Sequence, residues 1–353
     1  MQTLISNLRV SFAMLLMILA VSSLSVAQQY TVTDLGTLGG TTSSANAIND
    51  KGQVAGFSTS ITGLYRGFVW SPATGMHDIG ALTRGGITYA YGINNLGQAV
   101  GWSQAESAYF HAFLWTPSTG MRDLGTLGGL NSYATAVNNL GQVVGMSNVP
   151  DNSYHAFLWT AEAGMQDLGA LGGTMSEALG INDSGEAVGY SYLAGDVSYH
   201  PFRWTSTAGM QDLNISLPGP FSKATAINQA GNIAGVSAET RTNYAYIWLP
   251  IGQTLNLGNL GVPQSSTAFG INASNQVVGY SWTGTTFDAF LWSPSIGIQD
   301  LNSLIPPTSG WTLGQADGIN KSGQIAAVGS NATTCIACAL LLTPTKQSQR
   351  SEP

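Results

Sequence analysis

Ala134-Thr-Ala-Val-Asn138, Asn139-Leu-Gly-Gln142, Val143-Val-Gly-Met-Ser147, a polar loop, His155-Ala-Phe-Leu-Trp159 and Met165-Gln-Asp-Leu-Gly169 follow one another in the chain. The first piece is small and apolar. Asn-Asn-Leu-Gly reads as a tight turn, with Gly free to take positive φ. The β-branched and aromatic runs on either side of the loop, bounded by Gly and Asn, read as strands, and no window has a helical period. The stretch therefore predicts four short strands.

The same phrase recurs along the chain. Asp-Leu-Gly-like segments start at Asp34, Asp78, Asp123, Asp167, Asp212, Asn256 and Asp300, every 44 or 45 residues. An Ile/Val-Asn pair recurs at Asn49, Asn94, Asn138, Asn182, Asn228, Asn272 and Asn320. An aromatic-x-Trp pair runs from Phe68/Trp70 to Phe290/Trp292, and Leu340 and Leu342 take its place in the last copy. Four strands in such a period match one blade of a β-propeller. The seventh copy ends at its third strand, Ala339-Leu-Leu-Leu-Thr343, while an orphan fourth strand, Tyr30-Thr-Val-Thr-Asp-Leu-Gly36, precedes the first. The expected fold is all-β: a seven-bladed β-propeller over residues 28–344. Each blade has four antiparallel strands, and the N-terminal strand completes the last blade, removing an exposed edge.

Size orders the strands. Ala45, Ala90, Ala134, Ala178, Ala224, Ala268 and Ala316 stand three residues before the Ile/Val; Ala47, Gly92, Ala136, Gly180, Ala226, Gly270 and Gly318 stand one before it. With strand alternation the two sets share one face. Blades converge toward the axis, so the strand built from small residues is innermost.

His111-Ala-Phe113, His155-Ala-Phe157, Ile-Asn-x-x-Gly-x-x-x-Gly, the Trp after the Phe and Asp-Leu-Gly recur in phase. Together they resemble the HAF family of extracellular repeats over about residues 30–344. The resemblance implies an exported, bacterial-type repeat protein; the family has no settled biochemical function. The name motif departs at Arg66-Gly-Phe, His200-Pro-Phe, Tyr244-Ala-Tyr, Asp288-Ala-Phe and Cys338-Ala-Leu, so shared chemistry at that position is not expected.

Only 8% of the 353 residues are charged, with a net charge of -7, against roughly 25% charged in a typical domain. No basic cluster exists to follow a nucleic-acid backbone. Arg9, the apolar run 10–21 and Ser25-Val-Ala27 read as a signal peptide over residues 1–27. That predicts a secreted or periplasmic monomer with no membrane association after cleavage. Residues 345–353 read as a disordered tail. Cys335 and Cys338 sit in a turn entering a strand and read as a local disulfide or two free thiols rather than a redox pair.

No nucleophile, metal or phosphate-loop motif appears, and no cofactor is expected. His residues at one repeat position in neighbouring blades would stand on the order of 10 Å apart, too far to share zinc. The Asp of Asp-Leu-Gly and the Asn of Ile-Asn are expected to cap their own turns. The better candidates ring the mouth of the channel four residues before each Ile/Val: Tyr89, Tyr133, Glu177 and Lys223 from consecutive blades. They point to an exported, non-catalytic binding module for a glycan or an extracellular protein. The alternative is a polysaccharide hydrolase or lyase on the same scaffold, an inference from fold alone.

Overall fold

The computed structural model describes residues 29–106, 109–213, 219–238, 242–250, 252–262, 265–332 and 335–345. The expected signal peptide and all but the first residue of the expected tail lie outside this set. The chain is all-β apart from two short 3-10 turns, Leu301–Leu304 and Pro307–Ser309. The third copy forms Ser132–Val137, Val143–Asn148, Tyr154–Thr160 and Gly164–Asp167, paired antiparallel in that order. The other copies repeat this pattern. They make four four-stranded sheets and one of twelve strands, the latter joined through single parallel bridges at Tyr154–Met175 and Tyr199–Phe221. In the last copy Thr312–Ile319, Ile325–Asn331 and Cys335–Pro344 are completed by Tyr30–Asp34, which pairs antiparallel from Tyr30↔Pro344 to Asp34↔Leu340.

Apolar layers lie between consecutive sheets. Phe157 and Trp159 pack with Val100, Ala112 and Leu114 of the preceding unit, while Ala156 and Leu158 pack with Phe202 and Trp204 of the next. This two-faced burial is why the third strand reads apolar throughout. A fully buried Phe of this kind contributes about 2–3 kcal/mol by area. Leu301, Leu304 and Ile305 of the 3-10 segment fill the layer before the last unit.

Every first strand carries a β-bulge. In the third copy Ala134 pairs Gly145 and Ala136 pairs Val144, leaving Thr135 unpaired. The same skip omits Asn46, Tyr91, Leu179, Thr225, Phe269 and Asp317. The expectation that the two small series share one face is therefore corrected. Ala134 packs in the layer on one side of its sheet and Ala136 in the layer on the other. The inserted residue breaks the two-residue alternation and turns the strand over. The bulge also explains the second Gly of Ile-Asn-x-x-Gly-x-x-x-Gly. A Cβ on Gly145 would lie 1.9 Å from Tyr133 O, and Gly56, Gly101, Gly189 and Gly279 meet the equivalent carbonyl at the same distance. The first Gly serves the turn instead, with φ +75° at Gly141.

The Asn after each first strand caps its turn as expected. Asn138 Oδ1 accepts from the backbone N–H of Leu140 and Gln142. Its Nδ2 does more, donating to Asn182 O of the next unit at 3.0 Å. The relay runs through every copy: Asn49 to Asn94 O at 2.8 Å, Asn94 to Asn138 O at 2.9 Å, Asn182 to Asn228 O at 3.4 Å, Asn228 to Asn272 O at 3.0 Å, Asn272 to Asn320 O at 3.1 Å, and Asn320 back to Asn49 O at 3.0 Å. All seven side chains are buried.

Gly145→Ala, at an ordinary backbone φ, should cost at least about 3 kcal/mol because backbone rather than a yielding side chain occupies the space. Denaturant unfolding measures this, and a loss under about 1 kcal/mol would mean that the strands separate easily there.

Candidate functional site

The first strands enclose a cavity of about 640 Å³, and all seven bulged residues line it. The bulge aims them: each is the residue with no cross-strand partner. Three of them tie neighbouring units together. Asn46 Nδ2 donates to Ala90 O at 2.8 Å, Thr135 Oγ1 to Ala178 O at 2.6 Å and Thr225 Oγ1 to Ala268 O at 2.9 Å. Between them stand Tyr91, Leu179 and Phe269, which make no such bridge and present apolar faces. The seventh is Asp317.

Asp317 repeats the arrangement around Asn46. Ser44 Oγ donates to Asn46 Oδ1 at 2.9 Å, and Gln315 Nε2 donates to Asp317 Oδ1 at 2.6 Å. Asp317 Oδ2 is shielded and has no acceptor role filled. Burial pushes its carboxyl up to about 7, opposed by the Gln315 hydrogen bond. A protonated Oδ2 is a donor, as Asn46 Nδ2 is. By the register of the repeat its equivalent acceptor is Ala45 O, across the seam between the last unit and the first.

Of the sequence-predicted residues, Lys223 lines the cavity. Its Nζ stands 4.1 Å from the ring centroid of Tyr190 and 5.3 Å from that of Tyr199, a cation–π setting. Burial pushes the ammonium down, and the charge of Glu177 works against that shift. Glu177 accepts a hydrogen bond from Tyr190; burial pushes its carboxyl up, while that bond and Lys223 pull it down. Glu177 and Lys223 thus stand within electrostatic range of each other.

Tyr89 and Tyr133 stand beside the cavity and are not among the residues that line it. Tyr89 packs against Phe57, Tyr65 and Trp102 at ring-centroid distances of 4.7, 5.3 and 4.3 Å. Tyr133 packs against Trp102 and Tyr154 at 5.8 and 6.3 Å. Burial, with help from neighbouring tyrosines, pushes both phenols up to about 12. They belong to an arc of rings crossing the first three units. Sequence reasoning missed the bulged series. Its one signal was a position of varied residues held between two that are always Ala or Gly.

The His and Asp series form clips on the outer strands. His111, His155 and His200 Nδ1 lie 2.8, 2.9 and 2.7 Å from Oδ2 of Asp123, Asp167 and Asp212. Arg66 takes the same place against Asp78 at 3.1 Å. Asp123 Oδ1 also accepts from Gly125 N, capping the turn as expected. Cys335 and Cys338 are disulfide-bonded.

Asp317 sets a pH dependence. Between its ordinary 3.8 and about 7 the folded chain keeps a proton that the unfolded chain has lost. Its share of stability is full below that window and disappears as pH rises through about 7. Asp317→Asn keeps the donor without the titration. The variant should match wild type near pH 4 and exceed it at pH 8 by about 2–4 kcal/mol. Denaturant melts across pH measure the gap, and a constant gap would mean that Asp317 is ionised in the fold.

No family model matches the chain, and no curated protein does. Solved structures do. The β-propeller domain of the trilobed protease from Pyrococcus furiosus is 10% identical over 89% of this chain and 99% of that one, with a TM-score of 0.60. Virginiamycin B lyase from Staphylococcus aureus is 10% identical over 90% and 100%, with a TM-score of 0.53. The match to TolB from Acinetobacter baumannii, 14% identical with a TM-score of 0.49, spans 68% of this chain and 61% of that one. At such identities the likeness speaks to the fold alone, and the fold is a β-propeller.

Proposed function

We propose that this chain is an exported propeller of the HAF repeat type, with seven blades closed into a ring by its N-terminal strand. In this reading it is a non-catalytic module that binds a glycan in the central channel. The return of the Asn relay from Asn320 to Asn49, and the pairing of Tyr30–Asp34 with Cys335–Pro344, support the ring. The observation that carries the binding reading is the lining of the 640 Å³ cavity. It joins the aromatic side chains of Tyr91 and Phe269 to the polar side chains of Lys223, Asn243 and Thr267. Aromatic faces suit the C–H surface of a sugar ring, and amides and hydroxyls suit its hydroxyl groups. An extracellular protein ligand would use the same face.

One observation favours the second reading, a polysaccharide-active enzyme. Asp317 lines the cavity, and burial pushes its carboxyl upward, as it does that of Glu177 on the first strand three units away. Glycoside hydrolysis requires one protonated and one ionised carboxyl about 5–9.5 Å apart. Binding to a glycan array without release of reducing ends is the outcome expected of the binding module. Reducing-end release that disappears in Asp317→Asn would replace it with the enzyme. Tyr91 is 37% exposed toward the channel. Tyr91→Ala should weaken glycan binding at least tenfold, about 1.4 kcal/mol, in a chain that still melts cooperatively. Tyr89→Ala with Tyr133→Ala should lower the melting temperature by opening the aromatic arc. Unchanged affinity in Tyr91→Ala would move the site out of the channel.

A further inference from the structure

Where the first strands end, away from Ser44 and Gln315, a second relay runs beside that of the turn Asn residues. It uses the residue after each turn Asn, whose side-chain oxygen reaches back to a backbone N–H of the preceding unit. Asp50 N–H donates to Asn95 Oδ1 at 2.8 Å, Asn95 N–H to Asn139 Oδ1 at 2.9 Å and Asn139 N–H to Asp183 Oδ1 at 2.8 Å. Asp183 N–H donates to Gln229 Oε1 at 3.0 Å, and Lys321 N–H to Asp50 Oδ1 at 3.0 Å, from the last unit to the first. Two links are missing, and they are consecutive. Ala273 has no side-chain oxygen to offer Gln229 N–H, and Lys321 has none to offer Ala273 N–H. Among the described residues neither N–H has a hydrogen-bond partner. Gln229, Ala273 and Lys321 line one pocket of about 210 Å³ at this end of the channel. The Lys321 ammonium is 64% exposed and held loosely, 3.6 Å from Asp50 Oδ2.

Everything the gap presents is a donor: backbone N–H groups of the fifth and sixth units, and the ammonium of the seventh. Neighbouring backbone N–H groups form anion sites, and a hydrogen bond to an ionised acceptor is stronger than one to a neutral acceptor. The closed part of the relay shows which anion fits, because two of its five acceptors are carboxylates. Asp183 accepts from Asn139 N–H through Oδ1 and from Asn139 Nδ2 through Oδ2, the latter at 2.9 Å. Asp50 accepts from Lys321 N–H through Oδ1 and from Asn95 Nδ2 through Oδ2, both at 3.0 Å. Lys321 and Asn95 lie in the units on either side of Asp50, so a single carboxylate here spans donors of different units. Neither resident carboxylate is aimed at the gap. Asp183 is turned toward the third unit, and Asp50 is paired with the Lys321 ammonium.

From this interruption we propose that the Asn-turn end of the channel is an anion site for a carboxylate, which stands in for the side chain that Ala273 lacks. One of its oxygens accepts from Gln229 N–H, the other faces Ala273 N–H, and Lys321 supplies the countercharge. The site is distinct from the cavity lined by the bulged residues and does not depend on what that cavity binds. Small organic acids and peptide chain ends carry the same group, and the test separates them.

The test follows backbone amide resonances of the isotope-labelled chain during titration with acetate at constant ionic strength. The Gln229 and Ala273 amide protons should move downfield and saturate, while those of Asp50, Asn95 and Asn139, already donated, should stay in place. Ala273→Asn installs the residue that the second and third units carry at this position. It should weaken acetate binding by about tenfold or more, the loss of one charge-assisted hydrogen bond, without lowering the melting temperature. Lys321→Met should weaken it severalfold. Acetyl-Ala-Ala with a free carboxylate should bind, and its C-terminal amide should not. Peptide acid binding about tenfold more tightly than acetate identifies a chain end as the natural source, and equal binding identifies a small acid; both support the site. A shift that grows linearly with acetate, or one shared equally by all the amides of the relay, overturns the proposal. So does a saturable response of Gln229 that survives in Ala273→Asn.

Discussion

A single side-chain amide, repeated seven times, ties the units of this fold to one another. The oxygen of each turn Asn satisfies two backbone donors of its own unit, and its nitrogen satisfies a backbone acceptor of the next. Local turn and long-range packing are therefore set by the same residue. Replacing one amide would leave a buried carbonyl unmet in the neighbouring unit, about 1–3 kcal/mol lost at a place the residue only touches. The apolar layers supply most of the stabilisation, but they are non-directional. The amide relay fixes the registry in which those layers stack.

The bulge is the second constraint, and the site depends on it. A regular strand would direct alternate residues to its two faces, both of which are packed against neighbours. One extra residue frees a side chain from that alternation. In three units the freed residue bridges to the next unit, and in three it presents an apolar face; at the seam it is Asp317. The close carbonyl over Gly145 and its counterparts is the geometric cost of the bulge, met by the absence of a Cβ.

Much of this was legible because the repeat prints each requirement seven times. Strand count, the completion of the last unit by Tyr30–Asp34 and the two-sided third strand follow from the phasing of Asp-Leu-Gly, Ile-Asn and the aromatic pair. The His position was legible as structural because Arg66 replaces it, and the structure supplies the partner, the Asp of the outer strand. The bulge was not legible. Simple alternation puts Ala45 and Ala47 on one face, and position at the start of the first strand singles out Tyr89 and Tyr133, whose rings pack against Trp102 and its neighbours. Lys223 and Glu177 were found because charge is rare in this chain, so one adjacent pair at a repeat position stood out.

In the closed ring we propose, the N-terminal strand and the Asn320–Asn49 link hold the last unit to the first. Deleting residues 28–36, followed by thermal melting and sedimentation, separates that ring from an open array. The shortened chain should melt at a lower temperature and self-associate, because Cys335–Pro344 becomes an open edge. A shortened chain that melts where the intact one does and stays monomeric would contradict it.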